Sequence, residues 1–224
     1  MNNEQLPPIL DFNYETNNGT LFDTRDGQSY PVVKIGNQIW LAENFRYLPT
    51  DLETNSGYES CVCYAKNLEK GYGRLYDRKT ANLIAPEGWH LPSKEDFNEL
   101  IDFIVKDNEL PDKKSVAKYI KSNHDWIRDL FGYQIGNGND KYGFNALPEV
   151  YGEINPIYDE RKQIKKTVRF YDKGIRSTFW CSGLYNNSYQ FLVIDGNLKE
   201  IEIGLHRVED IIYYYNVRLI KDIK

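Results

Sequence analysis

A single strongly helical stretch, bracketed on both sides by β-patterned sequence, constrains this chain more than any other feature. After Pro92, Ser93 is placed to cap a helix and Glu95 and Asp96 favour its positive end. Phe97, Leu100, Ile101, Ile104 and Val105 then recur at helical spacing. Pro111-Asp112 opens a second helical segment in which Val116, Ala117 and Ile120 share a face, and it should run out near Asn123. Strands, then helices, then strands predict an α+β domain whose two ends meet in one sheet.

The β pattern begins at Thr20, with a turn at Asp26-Gly27, a strand over Tyr30 to Ile35, a turn at Gly36-Asn37 and a strand over Gln38 to Ala42. Cys61 to Ala65 reads as a returning strand, and Asp77 to Ala85 as a weak helix that stops before Pro86. Beyond Gly132 the helical period disappears, and Gly136 to Asp140 has the composition of a loop. Strands are then expected over Asn145 to Tyr151, Val168 to Tyr171, Thr178 to Ser182, Tyr189 to Ile194, Lys199 to Ile203 and Tyr213 to Ile220, with Asp195-Gly196 turning a late hairpin. Residues 1–19 carry Pro7-Pro8 and several Asn without a sustained period, so they read as an extended N-terminal arm. Residues 20–224 read as a single domain.

Charge narrows the function classes. With 28 basic and 33 acidic side chains the net charge is −5, and no long basic run is present, which argues against nucleic acid as a partner. No run of 18 apolar residues exists, so no membrane span is expected. The start, Met1 to Gln5, has neither the basic nor the apolar region of a signal peptide. The three cysteines cannot all pair within one chain, which fits synthesis in a reducing cytoplasm. Aromatic residues reach 14%, with 18 Tyr, a composition suited to β-rich structure and to amphipathic recognition surfaces.

Several stretches together carry a family resemblance. They are Val33 to Arg46, reading Val-Lys-Ile-Gly-Asn-Gln-Ile-Trp-Leu-Ala-Glu-Asn-Phe-Arg; Tyr72-Gly73-Arg74-Leu75-Tyr76; and Pro86-Glu87-Gly88-Trp89-His90-Leu91-Pro92-Ser93. Later come Gly143 to Pro148, Phe179-Trp180-Cys181-Ser182 and Val217 to Asp222. In order and spacing the chain resembles the Fibrobacter succinogenes major paralogous domain over roughly Thr20 to Asp222, a family related to the C-type lectin-like and formylglycine-generating-enzyme-like folds. The resemblance implies a C-type lectin-like fold with a twisted antiparallel sheet, two main helices and a long irregular loop region that carries the variable surface. It implies no activity, because function on such folds resides in the loops. Where relatives often carry cysteines, this chain has Ala85 and Leu219, which fits a domain that does not rely on that disulfide.

The candidate chemistry is sparse. Cys61 and Cys63 lie on one face of a strand, but without a second pair or a nearby His they lack a zinc signature. Cys181 beside Trp180 cannot supply the paired thiolates of the formylglycine-generating relatives, and it reads as core. His90, His124 and His206 are far apart and form no recognised spacing, and His90 reads as structural. Glu153, Asn155, Asn186 and Asn187 only faintly suggest a calcium set, and Lys162, Lys165, Lys166 and Arg169 read as a solvated face rather than an anion patch. No catalytic residue, cofactor or metal is therefore expected.

Tyrosines of the later, loop-containing half remain as binding candidates: Tyr142, Tyr151, Tyr158, Tyr171, Tyr185 and Tyr189, with Asn186 and Asn187. In Ile211 to Val217, alternation puts Tyr213 and Tyr215 on one face, a stretch read mainly as a structural strand. The expected function is a non-catalytic binding or display module that recognises a protein or glycan through aromatic loops. The alternative is a structural subunit of a phage particle or similar assembly, docked through residues 1–19.

Overall fold

The computed structural model describes residues 6–49, 61–62, 72–126, 136–154, 168–196, 201–207 and 211–223, with the backbone of 157–158 and 164–165. In chain order the elements are β1 (Ile9–Asn13), β2 (Asn18–Asp23), β3 (Gln28–Ile35), β4 (Gln38–Leu41), β5 (Cys61–Val62), β6 (Leu75–Tyr76), α1 (Arg78–Leu83) and α2 (Lys94–Asp107). A 3-10 turn at Lys113–Ser115, α3 (Ala117–Ile120), β7 (Tyr151–Ile154), β8 (Ile157–Tyr158), β9 (Ile164–Lys165) and β10 (Arg169–Tyr171) follow. The chain closes with β11 (Arg176–Tyr185), β12 (Ser188–Asp195), β13 (Ile201–Arg207), β14 (Ile212–Asn216) and β15 (Ile220–Asp222). The architecture is mixed helix and sheet, dominated by strands. No helix among the described residues is long and apolar enough to cross a membrane.

One sheet has the order β1-β2-β3-β4-β15, so the beginning and the end of the fold share a layer as expected. The second, eight-stranded, runs β10-β7-β14-β11-β12-β13, with β6 added to β14 and β5 to β6. Its pairings are antiparallel except between β11 and β14, which are parallel at Phe179↔Asn216.

The capping box of α2 forms as its sequence requires. Ser93 Oγ accepts the Asp96 N–H at 3.1 Å and Asp96 Oδ2 accepts the Ser93 N–H at 2.6 Å. Phe97, Leu100, Ile101 and Ile104 are buried, each contributing about 1.5–3 kcal/mol of apolar burial. They pack with Trp40, Phe144, Phe179 and Leu192 in one core cluster, while Tyr30, Phe45, Trp89, Trp180 and Tyr215 belong to a second. Ala85 and Leu219, the two apolar replacements noted above, both pack in that second cluster.

Four expectations need correction. Residues 9–19 do not stand apart as an arm: β1 pairs with β2 from Ile9↔Phe22 to Asn13↔Asn18. The asparagines that obscured the period close the turn, since Asn13 Oδ1 accepts the Glu15 and Thr16 N–H groups and Asn17 sits at φ 55°. The second main helix shrinks to the 3-10 turn and the four residues of α3. The 136–140 loop docks on its end, where Asn139 N–H donates to the Lys118 carbonyl and Gly138 N–H to that of Ser122. The strand expected from Asn145 begins only at Tyr151, as β7. Finally, the strand expected over Tyr213 to Ile220 is two strands in two sheets, and Val217 to Leu219 cross between them.

That crossing is held by a buried cation. The Arg218 guanidinium lies over the rings of Phe144 (4.6 Å) and Phe179 (5.3 Å) and donates to the Leu41 and Phe144 carbonyls and to Asn44 Oδ1. Its complete burial pulls its pKa down to about 9.

Candidate binding face

The geometry begins with two tight connections. Asn186 and Asn187 sit at φ 48° and 55°, two consecutive left-handed residues whose twist matches a two-residue hairpin between β11 and β12. On the next ladder Tyr189 pairs with His206 and Phe191 with Gly204. A Cβ at Gly204 would lie 2.3 Å from the Phe191 ring, so the glycine lets that ring rest across β13.

His206 therefore stacks on Phe191 (4.4 Å between centroids, 16° between planes) and, on its other side, on Tyr213 (3.8 Å, 8°). Its Nε2 hydrogen-bonds the Tyr215 hydroxyl. Burial among these rings pulls the His206 pKa down to about 4, so the imidazole is neutral at neutral pH, and burial pushes the Tyr215 phenol up.

The rings continue along β14, β7 and β10. Tyr151 is edge-on to Tyr215 at 5.8 Å and stacked on Tyr171 at 5.3 Å, and the Tyr171 hydroxyl donates to Glu153 Oε1 at 3.0 Å. Toward the hairpin, Trp180 lies 4.5 Å from Tyr215 and 6.2 Å from Tyr189. Trp180 and Tyr215 are buried and anchor the strip, while Tyr151, Tyr171, Tyr189, Phe191, His206 and Tyr213 are half-buried. Arg78 lies 5.4 Å from the Tyr189 ring centroid; its Nη2 donates to the Gly183 carbonyl, while Nε and Nη1 are buried and find no hydrogen-bond partner among the described residues.

Of the residues singled out in the sequence, Tyr151, Tyr171 and Tyr189 fall in this strip. Tyr185, Asn186 and Asn187 form the exposed tip of the hairpin that carries Tyr189. Tyr142 lies elsewhere: it packs against the α2 core cluster, its ring is edge-on to Phe103, and its hydroxyl donates to Asp107 Oδ2 at 2.5 Å. Tyr158 is in β8, and its side chain lies outside the described structure.

Phe191, His206 and Tyr213 were not singled out as binding residues. Alternation along Tyr189-Gln190-Phe191 could have found Phe191. His206 could not be found in that way, because its place opposite Tyr189 depends on the β12–β13 register.

Other candidates resolve separately. The Cys181 thiol is buried and pushed up to about 12, which removes it as a nucleophile at neutral pH. Cys61 is buried, whereas Cys63, Asn155, Lys162 and Lys166 and the side chain of Lys165 lie outside the described structure. Arg169 is exposed. His90, Asp96 and Asp222 bring one potential ligand atom each to within 4.8 Å of one another.

No curated protein and no solved structure matches this chain. The family model of the Fibrobacter succinogenes major domain matches residues 33–221, a span that contains α2, the whole eight-stranded sheet and the aromatic strip, and the chain belongs to that family.

Proposed function

We propose that this chain is a non-catalytic binding module on a C-type lectin-like framework, recognising a protein or glycan through the aromatic face of the larger sheet and the adjoining β11–β12 tip. The observation that carries this reading is the strip of half-buried rings from Tyr171 to Tyr189, anchored by Trp180 and Tyr215. Rings held from beneath lose little entropy when a ligand covers them, and tyrosine adds a polar tip to its apolar area. The neutral, ring-enclosed His206 and the buried Cys181 thiol are poor acid, base or nucleophile candidates, which favours binding over catalysis.

The test is a glycan array, with and without calcium, and a parallel protein-ligand screen. Each ligand found is titrated against Tyr151→Ala, Tyr171→Ala and Tyr213→Ala, with Tyr142→Ala as the control on the α2 side. Face variants should weaken binding at least about tenfold and the control should not; unchanged binding in all three face variants overturns the reading.

A further inference from the structure

We propose that His90, Asp96 and Asp222 form a binding site for a divalent first-row transition-metal ion, with Zn2+ as the reference ion. The site is independent of the aromatic strip, since Asp222 belongs to the five-stranded sheet.

Three separate segments converge here. His90 is pinned to Ile220 by reciprocal backbone bonds of 2.9 and 3.0 Å, and Asp222 lies two residues further along β15, paired with Gln38. Asp96 stands in the first turn of α2, where Oδ2 accepts both the N–H and the hydroxyl of Ser93, and no hydrogen-bond donor to its Oδ1 is found among the described residues. The backbones are thus fixed before any ion arrives, which is what a metal site needs from its surroundings.

Beyond the Ser93 bonds to Asp96 Oδ2, the three side chains make no hydrogen bond to one another. His90 Nε2 is 3.8 Å from Asp96 Oδ2, too long for a hydrogen bond. Asp222 has no hydrogen bond or ion pair among the described residues, yet its carboxylate comes within 4.8 Å of the Asp96 carboxylate. Two like charges held that close, facing an imidazole, are stabilised by a cation between them. Ligand bonds of roughly 2.0–2.2 Å would draw the three atoms together by about 1 Å, within reach of side-chain rotation. The imidazole nitrogen favours a transition ion over Ca2+ or Mg2+, which prefer all-oxygen shells. Three protein ligands leave a position for water or an external donor.

The test uses the full chain without a histidine tag, titrated calorimetrically with ZnCl2 and with CaCl2. The expected result is saturable one-to-one Zn2+ binding, little Ca2+ binding, and at least a tenfold loss of Zn2+ affinity in Asp222→Asn and His90→Gln. Asp222 is exposed, so its variant decides the matter even if His90→Gln folds poorly. Absence of saturable Zn2+ binding at millimolar concentration overturns the site, leaving only a His90–Asp96 side-chain contact. Unchanged Zn2+ affinity in Asp222→Asn overturns it as well.

Discussion

At His206 the fold holds a titratable ring where its charged form is unwelcome. Its neighbours are Phe191, Tyr213 and the Tyr215 hydroxyl, and its pKa falls from 6.5 to about 4. A depressed folded-state pKa means that the unfolded chain takes up this proton first as the pH falls. The stabilisation is therefore complete above pH 6.5 and is lost progressively as the pH drops through 4. Denaturant midpoints measured across that window should decline in the wild type, and His206→Phe, which keeps a ring in the stack, should flatten the decline. An equally steep decline in the variant would remove His206 as its source.

Among the elements, β13 depends on one missing side chain. Gly204→Val would place its Cβ inside the Phe191 ring, a clash that moves the ring or the strand. The expected cost is about 1–3 kcal/mol in urea denaturation, with loss of the His206 stack seen in aromatic ring-current shifts. A variant with wild-type stability and spectra would refute the close approach. Sequence reading found α2 and the β3–β4 hairpin because period, cap and turn residues agree there: Ser93 with Asp96, and Gly36 at φ 62° before Asn37. It missed β1 because the local asparagines serve a turn rather than a disordered lead-in. It overextended the second helix because Val116, Ala117 and Ile120 give a helical face to a segment too short to sustain a helix beyond a single turn. At the candidate face, tyrosine composition pointed to the half of the chain that carries the aromatic strip, but which rings touch is fixed by strand register and by the parallel contact between β11 and β14.

Over the whole molecule, early and late strands depend on each other. Arg218, Leu219 and Ile220 are fully buried, and β15 completes the sheet begun by β1 to β4. Deleting residues 218–224 should abolish the cooperative thermal transition followed by circular dichroism, because it removes core side chains and leaves the Asn44 side chain and the Leu41 and Phe144 carbonyls without their cation. A retained sharp transition would show that the sheet closes without them. The order of pairing could not be read from alternation alone, since Tyr213 to Ile220 alternates as one strand while the backbone shares it between two layers.

The crossing at Val217 to Leu219 also determines how the molecule would bear traction. Beyond it, among the described residues, β15 has three ladder partners on β4, Ile220↔Trp40, Lys221↔Ile39 and Asp222↔Gln38, followed by the Ile223 N–H donating to the Asn37 carbonyl. Tension applied at Ile223 would load this short seam before it reached β14, so the seam would peel first, like a mechanical fuse, while Tyr213 and its neighbours kept their shape.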